Sequence, residues 1–113
     1  MTKYLISFPS DAMVFPEEDF QTVVEDSHAV IAEAKAAGVY VFGGGIDEAV
    51  DPVLVAGDGT VTEGTHPGHQ VPNGGYAIFE LPTRQAALEW AAKIAVACRC
   101  PQEVRQFGYD PAS

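Results

Sequence analysis

Residues 61–80 read Val61-Thr62-Glu63-Gly64-Thr65-His66-Pro67-Gly68-His69-Gln70-Val71-Pro72-Asn73-Gly74-Gly75-Tyr76-Ala77-Ile78-Phe79-Glu80, which is a loop followed by an apolar strand. Glycine supplies backbone angles that other residues avoid and proline removes a backbone donor, so the glycines and prolines here exclude a continuous helix or strand ladder. Long loops in small domains usually carry function. We therefore predict a binding loop that leads into a strand over 76–81.

Helix-entry signals and apolar spacing in the rest of the chain predict helices and strands on both sides of this segment. Pro16 followed by three acidic residues is a favourable helix entry, and Thr83 is placed to accept an amide hydrogen of a second helix's first turn. Apolar residues then recur at helical spacing in both segments. We predict helices over 16–38 and 83–101, and strands over 3–8, 39–42, 52–55, 60–62, 76–81 and 103–109.

This order is the split βαβ pattern of ferredoxin-like folds, with an inserted β-hairpin over 52–62. The sequence therefore predicts one α+β domain over residues 1–113. Two helices would cover one face of the sheet and leave the other face without cover in this chain. Exposed apolar faces are normally buried against a second copy, so we predict a homodimer.

Charge and composition disfavour some classes of binding partner. Six basic and sixteen acidic residues give a formal net charge of −10, which disfavours nucleic acid and anionic membranes because both require lysine and arginine to meet phosphate. No apolar run approaches the roughly 20 residues of a membrane span. The first residues lack the apolar core of a signal peptide, so we expect a cytoplasmic protein. Cys98 and Cys100 match neither a zinc nor a thioredoxin motif and are expected to be reduced structural thiols.

The segment 61–66, together with Gly74-Gly75-Tyr76, resembles the "V-T-D-G-P-F … G-G-Y" signature of the YCII-related (DGPF) domain family. Further likeness lies in Ser27-His28, in Gly43-Gly44-Gly45 and in 87–92. Glu63 stands where the signature has aspartate, and Thr65-His66 where it has Pro-Phe. The resemblance covers nearly the whole chain and implies a YCII-like domain that forms a dimeric α/β barrel.

His28 is the first candidate for chemistry. A helical wheel with about 100° per residue places it at the edge of the apolar stripe of the first helix. An imidazole there suits a general acid or base. The YCII resemblance implies that His28 is an active-site residue paired with an aspartate near the end of the second helix, a segment that carries no aspartate here. The alternative is a structural imidazole that donates to a backbone carbonyl.

Five further residues are candidate ligand contacts. Ser7 and Tyr76 lie on predicted strands and would line a pocket between sheet and first helix, with Gly44 as its floor. The glycines at 43–45 would either let a ligand or another backbone approach closely or form a bulge. Glu63 and His66 lie on the loop, whose residues 63–69 would act as a lid. Glu63 could instead accept hydrogen bonds from backbone amides of the glycine turns.

The chain carries a weak metal-site pattern and no nucleotide-binding motif. His66 and His69, with His28 and Glu63, have the ligand chemistry of a divalent metal site, but H-x-x-H on a loop has no fixed face, and solvated side chains are the favoured interpretation. Gly43-Gly44-Gly45 is not followed by a helix, and the chain has neither G-x-G-x-x-G nor a P-loop. We predict no metal and no cofactor.

Two functional hypotheses follow. The first is a small-molecule site in which His28 supplies the polar group and, in an enzyme, transfers a proton or promotes elimination on a small substrate. The second is a non-catalytic binding or regulatory module in which the family-like segments are architecture alone.

Overall fold

A four-stranded antiparallel sheet carries two helices in the computed structural model, which describes residues 1–113. In chain order the elements are β1 (Thr2–Phe8), α1 (Phe20–Ala36), β2 (Tyr40–Gly45), β3 (Val53–Val55), β4 (Val61–Glu63), β5 (Gly75–Leu81), α2 (Arg84–Cys98) and β6 (Glu103–Gln106). Neither helix is both long enough and apolar enough to cross a membrane.

The strand order of the main sheet is β2-β5-β1-β6, and each neighbouring pair is antiparallel. Strands β3 and β4 pair only with each other and form a separate hairpin. With that hairpin set aside, the main elements follow as strand, helix, strand, strand, helix, strand. The α+β prediction is confirmed, and the arrangement is compatible with a ferredoxin-like fold.

Local signals placed the start of α2 but not that of α1, which begins at Phe20 rather than at Pro16. The Thr83 hydroxyl accepts the amide hydrogen of Ala86 at 3.1 Å, which confirms the predicted cap of α2. Pro16 introduces a short 3-10 turn over Glu17–Asp19 before α1 begins.

Two strand boundaries differ from the prediction, and tertiary pairing explains both. Strand β2 continues through its three glycines because β5 begins at Gly75 and supplies a partner for each of them. Strand β6 ends at Gln106 rather than at 109, because its partner β1 begins at Thr2 and leaves only one further bond, from the Phe107 amide to the Lys3 carbonyl.

The core lies between the sheet and the helices. Its sheet side consists of large residues from the two central strands, Tyr4, Ile6, Phe79 and Leu81, and its helix side of Ala34, Ala87 and Ala91. Small side chains on the helices let their backbones approach the sheet closely. Only 12 of 113 residues are buried, so the core of the single chain is small.

The opposite face of the sheet, here called the outer face, follows from strand alternation and register. Leu5 pairs with Ile78, Ser7 with Tyr76, and Phe42 with Ile78. No helix lies over these side chains, and Phe42 is 58% exposed. A smaller cavity of about 260 Å³ lies on this face, where residues 70–73 of the loop approach β1. The same alternation places two ion pairs on this face, Lys3–Glu80 and Arg105–Glu103. The outer face therefore has an apolar part around Phe42, Leu5 and Ile78, flanked by charged side chains, and only the loop lies over it.

The β3–β4 hairpin projects from the rest of the chain. Three of its valines are at least half exposed: Val53, Val55 and Val61. The radius of gyration is 16.0 Å, against about 13 Å for a compact domain of this length. The difference fits a core sheet from which the hairpin extends.

Candidate functional site

A cavity of about 620 Å³ opens between α1 and the helix-covered face of the sheet; it is called the helix-side cavity below. Its volume falls within the range of about 300–1,000 Å³ that is typical of small-molecule sites. Apolar and aromatic side chains form most of the wall, among them Ile6, Phe8, Ile31, Phe79 and Ile94. The space is thus suited to a small, largely apolar molecule.

Glycines at one end of the sheet help to form this space. A Cβ built on Gly75 would lie 2.7 Å from the ring of Phe8, so the ring packs directly on the glycine. Gly74 has φ +79°, and a Cβ there would lie 2.1 Å from the Phe8 carbonyl oxygen. The loop can enter β5 against the end of β1 only because residue 74 has no side chain.

Tyr40 contributes a phenol to the cavity wall. Its ring meets Phe79 edge-on, with centroids 5.8 Å apart, and its hydroxyl lies over Gly43. The hydroxyl forms no hydrogen bond within the protein and is not sealed from solvent. It is therefore free to donate to, or accept from, a bound molecule.

His28 lies on α1 at the rim of the same cavity. It borders the buried face, as the wheel indicates, yet its side chain is exposed rather than enclosed. The imidazole makes no hydrogen bond to a backbone carbonyl or to another side chain, so no protein group fixes its orientation. Both ring nitrogens remain free for a ligand.

Cys98 brings a thiol to the wall beside α1. The Ser27 hydroxyl donates its single hydrogen to the Val23 carbonyl at 2.7 Å, and Ser27 Oγ lies 3.6 Å from Cys98 Sγ. Since the serine hydrogen is already used, the thiol must be the donor in that contact.

Glu48 and Ser10 form the polar mouth of the cavity. The Ser10 hydroxyl donates to Glu48 Oε1 at 3.1 Å, and the Ser10 amide donates to Asn73 Oδ1 at 3.0 Å. These bonds tie together the segments that follow β1, follow β2 and precede β5. Neither lysine nor arginine lines the cavity.

The structure brings some of the predicted site residues together and separates others. His28, Gly44 and Tyr76 all border the helix-side cavity. Ser7 does not, because alternation along β1 points it to the outer face, where it is 4% exposed and lines the smaller cavity with Tyr76. Tyr76 borders both spaces.

Glu63 and His66 border neither cavity. Glu63 ends the projecting hairpin, and the imidazole of His66 lies near that of His69, with ring centroids 6.0 Å apart. No residue from 61 to 73 lines the helix-side cavity, so the histidine-bearing loop does not cover it in this structure. No three His, Cys, Asp or Glu side chains come together as a potential metal site.

Sequence reasoning missed six polar residues of the wall: Ser10, Ser27, Tyr40, Glu48, Cys98 and Gln102. Only Tyr40 had a usable signal, since an aromatic residue shortly before a glycine run can pack over the space that the glycines leave. Glu48 lies in an irregular turn, and Cys98 looked like a core thiol.

No model of a known protein family matches this chain, and no curated protein matches it. The chemistry available to the site follows from its side chains: an imidazole, a phenol, a thiol and a carboxylate around an apolar volume. Such a set can hold a small molecule by apolar contact, hydrogen-bond its polar groups, and transfer a proton through the imidazole.

Proposed function

We propose that this protein binds a small, largely apolar molecule in the helix-side cavity, and that His28 and Tyr40 hydrogen-bond to its polar groups. One observation carries the proposal: the cavity of about 620 Å³ has apolar walls and two polar side chains without partners in the protein. Polar groups placed in an apolar pocket give a ligand its orientation, while apolar contact supplies most of the affinity.

In a catalytic version of this proposal, His28 transfers a proton or assists an elimination on the bound molecule. In the second version the site binds without turnover. The free imidazole of His28 favours the second version, because catalytic bases are usually oriented by a third group. The absence of an aspartate from α2, where the YCII resemblance would place the partner, supports the same version.

Methyl NMR with small neutral aromatic compounds, such as indole, tryptophol and benzyl alcohol, tests the binding proposal. We expect shifts at Ile31 and Ile94 in the helix-side cavity and none at Leu5 or Ile78 on the outer face. Binding confined to the outer face, or no binding by any compound, would overturn the proposal.

Substitution of His28 provides the second part of the test. His28→Ala should weaken binding of the hydrogen-bonding compounds about three- to tenfold, which corresponds to the loss of one hydrogen bond. His66→Ala, which removes an imidazole from the loop, should change nothing. Equal effects of the two substitutions would exclude His28 as a ligand contact.

The wider assembly is also a proposal: a YCII-related domain that pairs with a second copy through its outer face to form a dimeric α/β barrel. Its support is the sequence resemblance, the outer face that no helix covers, the exposed Phe42 and the small core of the single chain. Sheet faces of this kind are normally buried by association.

A further inference from the structure

We propose that the helix-side cavity selects a positively charged, amine-bearing aromatic ligand, with Glu48 as the counter-ion at its mouth. This inference rests on the proposed function and adds the charge class of the ligand. It depends on the state of Glu48, on the distribution of basic side chains, and on the aromatic wall.

Glu48 is an unpaired carboxylate held in position. The Ser10 hydroxyl donates to Glu48 Oε1 in one solvent-exposed hydrogen bond, and the Ser10 amide is itself held by the Asn73 side chain. No lysine or arginine forms an ion pair with it. Its second oxygen remains available to a cation at the cavity mouth.

Basic side chains are absent from the cavity wall and largely committed elsewhere. Of the six in the chain, four form ion pairs away from the cavity: Lys3, Lys93, Arg99 and Arg105. Lys35 contacts the Tyr40 ring, with Nζ 5.5 Å from the centroid, but does not line the cavity. A carboxylate or phosphate ligand would find neutral hydrogen-bond donors in the wall, such as the Tyr40 hydroxyl, but neither lysine nor arginine, and it would face Glu48.

The aromatic wall and the negative net charge of the protein both favour a cationic aromatic ligand. Phe8, Tyr40 and Phe79 supply ring faces and edges for an aromatic group, and electron-rich faces also attract ammonium ions. A formal net charge of −10 raises the local concentration of cations around the protein. An aromatic amine would place its ring among these side chains and its ammonium group beside Glu48.

Two matched sets of compounds test the charge class: tryptamine, tryptophol and indole-3-acetate, and benzylamine, benzyl alcohol and benzoate. Dissociation constants come from NMR titration at low salt, with binding at Ile31 and Ile94 as the criterion for the helix-side cavity. Each amine should bind roughly three- to fivefold more tightly than its alcohol, as expected for an ion pair near the surface. Each carboxylate should bind more weakly than its alcohol.

Glu48→Gln should reduce the ratio of the amine's affinity to the alcohol's affinity to about one. Asp51→Asn is the matched control: it removes the same charge from an exposed residue of the same segment that does not line the cavity. It should leave the amine preference intact.

The outcomes separate this inference from the one it rests on. If alcohols bind in the cavity as tightly as amines, or if carboxylates bind best, the charge class is wrong while small-molecule binding stands. An amine preference that survives Glu48→Gln also overturns it. If no compound of either set binds in the helix-side cavity, both inferences fail together.

Discussion

The hydroxyl of Tyr40 occupies the space where a side chain at residue 43 would begin: a Cβ built on Gly43 would lie 2.4 Å from it. The same Cβ would lie 3.2 Å from the Tyr76 carbonyl oxygen. One residue further, a Cβ on Gly44 would meet only the Phe42 ring at 3.8 Å, an ordinary contact. The phenol therefore depends on one glycine of the three.

This relationship predicts different effects for Gly43→Ala and Gly44→Ala. Alanine at 43 must displace the Tyr40 hydroxyl and press on a backbone oxygen, so we expect a loss of about 1–2 kcal/mol in the free energy of unfolding. Alanine at 44 should be neutral or add up to about 1 kcal/mol, because it removes the conformational freedom of a strand glycine. Urea denaturation measures the free energy of unfolding of both variants. Equal values would contradict the packing of the Tyr40 hydroxyl against Gly43.

Gly68 is required for its positive φ alone, whereas Gly74 is required both for its positive φ and because a side chain there would clash. Both have positive φ, +79° and +76°, but a Cβ at 74 would lie 2.1 Å from the Phe8 oxygen whereas a Cβ at 68 meets nothing within 4 Å. Gly68→Ala should therefore lower the free energy of unfolding by about 1–2 kcal/mol, the usual penalty of the left-handed conformation. Gly74→Ala adds a backbone clash and should lower it by more than about 3 kcal/mol.

Thermal or urea unfolding of the two variants provides the measurement. If Gly74→Ala were no worse than Gly68→Ala, the close approach of residue 74 to the end of β1 would be wrong. The mouth of the cavity would then be wrong as well, because Ser10 and Asn73 are held by that approach.

The proposed dimer makes Phe42 an interface residue. Phe42→Lys would place a charge beside Ile78 in the apolar part of the proposed interface, so sedimentation velocity should show the variant as a monomer at concentrations where the unaltered chain is dimeric. Val96→Lys is the control, since it makes the same change in charge at a valine of α2 that is 75% exposed. A monomeric unaltered chain, or equal sedimentation of the two variants, would exclude a dimer through the outer face.

Sequence patterns predicted the elements of the fold because the information was local. Breakers marked the loop before β5, the Thr83 cap marked the start of α2, and apolar spacing marked both helices. The end of β6 could not be read in this way, since it depends on where β1 begins. The strand character of Gly43–45 depends likewise on pairing with β5.

The candidate site was predicted only in part, for a related reason. His28 could be placed beside the cavity because the helical period fixes which side of α1 it occupies. Ser7 was assigned to the wrong face, although its alternation with the buried Ile6 contained the answer. Loop residues have no period, so nothing local shows that Glu63 and His66 lie away from the cavity or that Glu48 lies at its mouth.

Cys100 provides a prediction about pH. Burial, with a smaller contribution from neighbouring Cys98, raises the pKa of the Cys100 thiol above its ordinary value of 9.0. Below that value the thiol is protonated in the folded and unfolded chain alike, so it does not change stability with pH. Above it the unfolded chain loses the proton first. The free energy of unfolding therefore falls as pH rises from 9.0 towards the higher pKa of the folded thiol.

Urea denaturation at pH 8 and pH 10 checks this sign. Other alkaline groups titrate in every variant, so the informative quantity is the difference in alkaline stability loss between the unaltered chain and Cys100→Ala. We expect a smaller loss in Cys100→Ala. In Cys98→Ala most of the loss should persist, because burial rather than the neighbouring thiol is the larger cause of the shift. Identical losses in the unaltered chain and in Cys100→Ala would show that the thiol is not shielded as the structure indicates.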